Sequence, residues 1–274
     1  MLKTLPLVMG IVNVTPDSFS DGGKFFDPQD AIKHGLRLIE EGADILDIGG
    51  ESTRPHAEPV SIDEEISRVV PVIKALAETG KIISIDTRYA ETMRAAIEAS
   101  VGFINDISAL QGTGSLEVAA QSGLPVCLMH MKGEPKTMQE NPVYQDVVAE
   151  VFDFLKERVE ACNQVGISKE NIYADIGIGF GKTLEHNIAL FQNLEKFHEL
   201  GVKLLLGASR KRFIEKIAGG VTDERLGGSL AAALRGYEAG AHILRVHDVA
   251  QTVQALKVWQ AIRQPGPIAG PSRD

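Results

Sequence analysis

The sequence predicts an α/β protein that folds as one TIM, or (β/α)8, barrel. Runs rich in Ile, Val and Leu alternate with longer amphipathic segments eight times along the chain. These runs are almost continuously apolar, which is typical of parallel strands buried on both faces. The 274 residues also suit a barrel of about 250 residues. We assign residues 1–263 to this single domain. The Pro- and Gly-rich residues 264–274 are expected to form a disordered tail.

A doubly wound open sheet is the alternative architecture. It would require a Gly-rich phosphate-binding loop directly after the first strand. The first strand is followed instead by a polar loop that contains Pro16 and Asp17. The barrel is therefore the favoured prediction.

The predicted elements follow from the hydrophobic pattern. Strands are predicted at 9–13, 44–48, 82–85, 102–105, 125–129, 172–175, 203–206 and 242–246. Full spans are predicted for helices at about 32–42, 89–100, 115–122, 210–217, 223–239 and 249–262. For three further helices one end is predicted: two begin at 61 and 183, and one ends at about 165.

Polar residues mark the starts of three of these helices. Ser61 with Glu64 forms a capping-box pattern. Thr183 is a suitable N-cap, and Asp248 together with Gln251 is expected to cap the last helix.

Two further expectations concern helix faces and helix continuity. The spacing of Ile32, Leu36 and Ile39 predicts that these side chains share one inward face. Pro71 lies inside the next helical pattern, where it predicts a kink or a division into two short helices.

Composition narrows the class of function. The chain has 28 Lys and Arg against 37 Asp and Glu, giving a net charge of −9. This charge argues against nucleic acid or an anionic membrane as the main partner. Cys127 and Cys162 lack the spacing of a metal or redox pair, so buried free thiols in a reducing cytoplasm are expected. The first residues do not resemble a signal peptide, and no apolar run is long enough to cross a bilayer.

Polar residues follow nearly every predicted strand. In a barrel the carboxyl ends of the strands meet on one face, so these residues are expected to be neighbours. They are Asn13, Asp47, Asp86, Asn105, Asp106, His130, Asp175, Lys211, Arg245 and His247. Carboxylates and amides suit the donors of a heterocyclic ring, and the cations suit phosphate. For Asp47 and Asp106 a helix cap is an equal alternative, and for His130 a structural hydrogen bond is favoured.

Two long polar loops belong to the same predicted face. They are Thr15–Asp27 and Gly49–Pro55, whose glycines would let the backbone approach a ligand. Simple surface turns remain the alternative for both. The pattern Gly177-x-Gly179-x-x-Lys182 is a weak nucleotide signature, because it follows the sixth strand and lacks Walker spacing.

The chain resembles the dihydropteroate synthase family, the pterin-dependent enzymes of folate synthesis, from about Pro6 to Ile262. The motifs that carry the resemblance lie at 13–23, 47–55, 104–106, 129–131, 177–183, 209–211 and 245–248. Ile176, Lys132 and His56 depart from the family pattern, which usually has Pro, Gln and Gly at these positions.

The resemblance implies a reaction and the cofactor Mg²⁺. 6-Hydroxymethyl-7,8-dihydropterin pyrophosphate would condense with p-aminobenzoate to give 7,8-dihydropteroate and pyrophosphate. It also implies that Asp86, Asn105 and Asp175 bind the pterin edge and that Met129 and Phe180 wall the pterin slot.

Further roles are implied for the cations and for the metal. Lys211 would contact the carbonyl and nitrogen side of the pterin. Arg245 would lie over the ring and, with Asn13 and His247, hold the pyrophosphate. Asn13 would also bind Mg²⁺, which keeps most of its waters and takes few protein ligands.

The resemblance extends to the loops and to the assembly. Asp21 and Arg54 would pair across the closed site and act in catalysis together with Lys211. Phe19, Thr53, Pro55 and Ser209 would contribute to the p-aminobenzoate pocket. A cytoplasmic homodimer that sulfonamides inhibit is expected, with small-molecule substrates and with no nucleic acid or membrane partner.

Three other functions remain open from the sequence. A pterin-binding methyltransferase barrel shares the fold and the pterin-facing residues but does not need the 53–55 and 209–211 sets. A Schiff-base aldolase would use Lys211 as its nucleophile. A non-catalytic pterin-binding paralogue would have lost loop residues, whereas Asn13, Asp21, Thr53 and Arg54 are all present.

Overall fold

The computed structural model describes residues 4–15, 28–52 and 60–263. Within these residues, eight parallel strands form a closed barrel in chain order. The strands are β1 (Leu7–Asn13), β2 (Ile45–Gly49), β3 (Ile82–Asp86), β4 (Phe103–Asp106), β5 (Val126–Met129), β6 (Ile172–Asp175), β7 (Lys203–Gly207) and β8 (Ile243–Val246). The barrel closes where β1 pairs with β8, with Met9 opposite Arg245. The predicted TIM barrel is confirmed.

Helices follow the strands and cover the outside of the barrel. They are α1 (Pro28–Glu40), α2 (Ile62–Ala77), α3 (Ala90–Glu98), α4 (Ser115–Ser122), α5 (Val147–Gln164), α6 (Leu184–Gln192), α7 (Arg212–Ala218), α8 (Leu226–Ala239) and α9 (Val249–Arg263). Short 3-10 helices lie at Lys169–Asn171, Leu194–Leu200 and Thr222–Glu224. None of the helices in the described ranges is both long and apolar enough to cross a membrane.

Hydrophobic side chains pack on both faces of the sheet. The larger core lies between strands and helices, and a smaller group, which we call the inner cluster, fills the barrel interior. The inner cluster consists of Met9, Ile45, Phe103, Cys127, Tyr173, Leu205 and Ile243. Side chains alternate along a strand, so the residue two positions later faces the same way. Polar residues that lie two positions after a residue of the inner cluster therefore also face the barrel interior.

Two predicted caps are confirmed and a third is wrong. Ser61 accepts a hydrogen bond from the Glu64 amide, and Thr183 accepts one from the His186 amide. The Asp248 carboxylate instead binds the Arg210 guanidinium, at 3.0 Å from Nε. That ion pair links β7 to β8 on the polar face of the barrel, which local sequence reasoning cannot detect.

The expectations for α1 and α2 need correction. Leu36 is 42% exposed, whereas Gly35 and Leu38 are buried. The inward face is shifted because α2 packs so closely that a Cβ at Gly35 would lie 2.6 Å from Leu76 Cδ1. The α2 helix also continues through Pro71, so the division into two short helices is wrong, and the kink stays a prediction. Pro71 lies on the exposed side, where water solvates the carbonyl that loses its helical donor.

Candidate active site

A cavity of about 570 Å³ opens at the carboxyl ends of the strands. The predicted residues that line it come from five different strand ends or following loops, which confirms that the barrel brings them together. They are Asn13, Asp86, Phe180, Ser209, Lys211, Arg245 and His247. Asn105, Met129 and Asp175 are buried at the ends of β4, β5 and β6.

Arg245 forms the centre of the cavity floor. Its Nε lies 2.5 Å from Asp47 Oδ2, and its NH2 lies 2.6 Å from Asp86 Oδ2. Asn105 donates from Nδ2 to the same Asp47 oxygen at 3.0 Å. Arg245 therefore points at carboxylates of β2 and β3, a contact that the sequence analysis did not foresee. Asp47 is fully buried and serves this network instead of capping a helix.

Two carboxyl groups in this face, the buried Asp175 and the partly exposed Asp86, have raised pKa values. Burial raises the pKa of Asp86 to about 7, and the neighbouring Asp47 adds to the effect while Arg245 opposes it. Burial also raises the pKa of Asp175, against the attraction of Lys211. Asp175 accepts a hydrogen bond from the Gly177 amide at 2.8 Å. Both groups are placed to recognise the donors of a ligand shielded from water.

Lys211 lies between this floor and the loop that follows β6. Its Nζ donates to the Ile178 carbonyl and lies 4.3 Å from the centre of the Phe180 ring. Burial lowers the pKa of Lys211 to about 8, against the attraction of Asp175. The ammonium is thus a cation in an enclosed site, where its charge acts strongly on a ligand.

The turn that carries Ser209 and Lys211 is fixed by hydrogen bonds to Ser229, Arg225 and His247. Arg210 has a φ of 57°, a backbone conformation that costs an L-residue energy. Its amide donates to Ser229 Oγ at 2.9 Å, and its carbonyl accepts from Arg225 at 3.0 Å. The Ser209 hydroxyl accepts from the His247 amide at 3.2 Å, which joins β7 to β8. These contacts stabilise the strained residue and orient its neighbours.

A second network joins three loops at the edge of the cavity. Arg88, after β3, lies 3.4 Å from Glu51 after β2 and 3.3 Å from Glu134 after β5. Glu51 also lines the cavity. No local pattern in the sequence marks Arg88 or Glu134, because their contact joins residues 46 positions apart in the chain.

Five predicted loop residues lie outside the described residues. They are Phe19, Asp21, Thr53, Arg54 and Pro55. The described part of the chain contains no group of three or more His, Cys, Asp or Glu side chains that could hold a metal ion.

Comparisons with known proteins identify the family of this chain. A family model described as pterin binding enzyme matches residues 9–247. Dihydropteroate synthase of Escherichia coli strain K12 is 51% identical over 257 residues, which cover 93% of this chain and 91% of that protein.

Two solved structures share the fold and much of the sequence. Dihydropteroate synthase of Xanthomonas albilineans with 4-aminobenzoic acid is 51% identical with a TM-score of 0.90, over 96% of this chain and 94% of that chain. The Yersinia pestis dihydropteroate synthase in a sulfonamide drug complex is 45% identical with a TM-score of 0.90, over 94% of each chain. The chain therefore belongs to the dihydropteroate synthase family of pterin-binding enzymes.

Proposed function

We propose that this chain is the dihydropteroate synthase of a folate pathway. It condenses 6-hydroxymethyl-7,8-dihydropterin pyrophosphate with p-aminobenzoate to give 7,8-dihydropteroate and pyrophosphate. One observation carries the proposal beyond membership of the family. Asp86, Asp175, Lys211 and Arg245 come from four separate β-strand ends or following loops and surround one enclosed region.

The pterin is recognised by hydrogen bonds in a dry pocket. The buried oxygens of Asp86 and Asp175 accept from the amino group and ring N–H groups, and Lys211 donates to the ring carbonyl side. Asn105 and Met129 complete the walls together with Phe180. An analogue without these ring donors leaves buried carboxyl groups unpaired, so the pocket discriminates strongly against it.

The reaction is a dissociative displacement at the pterin methylene. The carbon–oxygen bond breaks, the methylene gains positive charge, and pyrophosphate leaves with the electron pair. The aniline nitrogen of p-aminobenzoate then attacks the methylene and loses a proton. No covalent enzyme intermediate is required, because the site supplies fixed charges that stabilise the separating ions.

Arg245, His247 and Asn13 hold the leaving group. All three line the cavity. The pairing of Arg245 with Asp47 and Asp86 means that its guanidinium must exchange part of these contacts for pyrophosphate oxygens. Arg245→Ala is therefore expected to weaken both pyrophosphate and pterin binding, whereas Lys211→Ala weakens mainly the pterin.

Mg²⁺ is part of the proposal. The Asn13 side chain offers a hard oxygen at the end of β1, the kind of ligand that suits an ion which retains most of its waters and binds substrate phosphates. When bound, the ion would supply positive charge that offsets the charge of the leaving pyrophosphate. In this site Asn13 would hold the ion.

The remaining assignments rest on the family. Asp21 and Arg54 act with Lys211 in catalysis, and Phe19, Thr53, Pro55 and Ser209 contact p-aminobenzoate. We also propose that the protein is a cytoplasmic homodimer. Sulfonamides are proposed to inhibit it, since the Yersinia pestis relative was solved in a sulfonamide complex. Light scattering that gives twice the chain mass would support the dimer.

The decisive assay mixes the purified chain with both substrates and Mg²⁺. Dihydropteroate and pyrophosphate should form in equal amounts, and removal of Mg²⁺ by a chelator should stop the reaction. Pterin binding without turnover would favour a non-catalytic paralogue. Transfer of a pterin methyl group to a corrinoid would favour the methyltransferase. Borohydride trapping of Lys211 with a carbonyl substrate would favour the aldolase.

A further inference from the structure

The loop after β6 is packed closely on the chain after β5. We call residues 176–183 the β6 loop and residues 130–146 the β5 segment. A Cβ at Gly177 would lie 1.9 Å from the His130 carbonyl oxygen. A Cβ at Gly181 would lie 2.3 Å from the Lys132 carbonyl oxygen. Tyr144 donates from its hydroxyl to the Gly181 carbonyl at 2.8 Å. The two segments are thus in direct backbone contact.

Lys182 lies in the middle of this contact and is only 2% exposed. Its Nζ lies 2.9 Å from His130 Nδ1, 3.3 Å from the His130 carbonyl oxygen and 2.9 Å from the Phe180 carbonyl oxygen. All three hydrogen-bond partners are neutral backbone or imidazole atoms. A lysine ammonium has three donors, so this arrangement satisfies the group completely.

His130 is suited to this contact. Burial and the charge of Lys182 lower the pKa of His130 to about 2. The imidazole packs edge-on against Phe154, with ring centres 4.9 Å apart. The Nδ1–Nζ contact is a hydrogen bond in either state of the lysine, because an ammonium donates to bare Nδ1 and a neutral amine accepts from Nδ1–H.

The β6 loop needs an external constraint. Gly177, Gly179 and Gly181 have φ values of 65°, 81° and 61°. A segment with three such glycines has many accessible backbone conformations when it is not tied down. The same loop presents the Ile178 carbonyl that holds Lys211 and the Phe180 ring that Lys211 overlies. Its conformation therefore determines where the pterin-contacting ammonium lies.

We propose that Lys182, with His130 as its partner, is a positioning residue for the pterin site. It ties the Phe180 carbonyl to the β5 segment and so fixes the loop that orients Phe180 and Lys211. The inference rests on the proposed function for the identity of the ligand, but not for the loop contact. If the competent loop conformation becomes a minor one, the apparent affinity for the pterin falls in proportion to its population.

The test compares Lys182→Met with Lys132→Met. Lys182→Met keeps an unbranched side chain as far as the Cε position and removes Nζ together with its three contacts. Lys132 is the control from the same segment: its Nζ donates to the Val143 carbonyl, lies 3.1 Å from Glu150 and 4.1 Å from the centre of the Tyr144 ring, and has no hydrogen bond to the β6 loop. Calorimetry gives the dissociation constant of the dihydropterin pyrophosphate, kinetics give KM for each substrate, and amide hydrogen exchange follows residues 177–182.

Lys182→Met is expected to raise the dissociation constant and KM of the pterin substrate about tenfold or more. The KM of p-aminobenzoate should change less than about threefold, and amide exchange at 177–182 should accelerate. Lys132→Met should lower Tm and leave the pterin dissociation constant within about twofold. His130→Leu should behave like Lys182→Met. His130→Asn should recover most of the loss, because its side-chain oxygen replaces Nδ1 as the acceptor.

Unchanged pterin affinity or unchanged exchange in a folded Lys182→Met variant would overturn the proposal. An equal loss of affinity in Lys132→Met would also overturn it, since general destabilisation would then account for the effect. If Lys182→Met does not fold, the His130→Leu and His130→Asn pair decides the question. A wild-type protein that neither binds nor converts the pterin would overturn the proposed function, whereas the exchange measurement would still test the loop contact.

Discussion

At the scale of single residues, the alternation of side chains along each strand places polar residues of the site directly above the inner cluster. Ile45, Phe103 and Tyr173 belong to the inner cluster, and the residues two positions later on the same strands are Asp47, Asn105 and Asp175. Each therefore emerges above the cluster on the interior side of the barrel. The polar groups are shielded from below by packed hydrocarbon, which is why burial is the main cause of the raised pKa of Asp175.

Asp175→Asn tests pterin recognition with little change in shape. The Asn side-chain oxygen keeps the hydrogen bond from the Gly177 amide, which Asp175 accepts at 2.8 Å. The other acceptor becomes an NH2 donor that faces the ring donors of the pterin. We expect a loss of about 1.5–3 kcal/mol, roughly ten- to a hundredfold in affinity, measured by calorimetry. A folded variant with wild-type affinity would remove Asp175 from the pterin site.

Lys211 should impose a pH dependence on pterin binding. Burial lowers its pKa from 10.5 to about 8, so the folded protein loses this proton well before the unfolded chain does. Only the ammonium donates fully to the ring, and affinity should therefore fall as pH rises through about 8. In Lys211→Arg the guanidinium stays charged throughout this range, and the fall in pterin affinity near pH 8 should disappear. Calorimetric titrations between about pH 6.5 and 9.5 check both curves. Asp86, with a pKa of about 7, titrates at the lower end of this range in both proteins, so a fall in affinity near pH 8 that persists in the variant contradicts the assignment.

At the scale of elements, loops differ in what fixes their shape. The Arg88 network uses charged side chains from three loops. The β6 loop instead uses backbone conformations that only glycine adopts easily, close to a neighbouring carbonyl. The predicted strands and most helix starts were correct because local periodicity and capping determine them. The inward face of α1 was misassigned because the tight approach of α2 at Gly35 decides it.

Gly177→Ala and Gly123→Ala separate backbone strain from steric overlap. Their φ values are 65° and 66°, so both substitutions carry the same left-handed penalty of about 1 kcal/mol. A Cβ at Gly123 meets no atom within 4 Å, whereas one at Gly177 would lie 1.9 Å from the His130 carbonyl oxygen. Urea unfolding should show about 1 kcal/mol lost for Gly123→Ala and at least about 2 kcal/mol more for Gly177→Ala. Equal losses in the free energy of unfolding would mean that the β6 loop accommodates the added methyl group without an energetic cost.

At the scale of the whole molecule, the barrel is completed only when its ends meet. β1 pairs with β8, and α9 packs against β1 so closely that a Cβ at Gly10 would lie 3.2 Å from Val249 Cγ2. The last helix therefore stabilises the first strand. The cations of the site come from the second half of the chain, at Lys211 and Arg245. The carboxylates that pair with Arg245, Asp47 and Asp86, come from the first half, so this part of the active face forms only when the barrel closes.

Trp259 provides a probe of this closure. It is the single tryptophan of the chain, it lies on α9, and it packs against the main core. If the barrel unfolds as one unit, urea transitions followed by tryptophan fluorescence and by far-UV circular dichroism should coincide. Leu256→Ala, at a position only 2% exposed, should shift both curves together by about 2–4 kcal/mol. A fluorescence transition at lower urea than the dichroism would show that the closing seam opens separately.

The sequence by itself determined the barrel, the order of its elements and the identity of seven residues that line the cavity. It could do so because hydrophobic periodicity is local and because parallel strands deliver their carboxyl ends to one face. Only the tertiary structure decided which polar groups pair. The sequence could not show that Arg245 binds Asp47 and Asp86, that Asp248 holds Arg210, or that Lys182 joins His130. These contacts connect residues separated by 38 to 198 positions along the chain. Residues so far apart in sequence become neighbours only through the packing of the whole barrel.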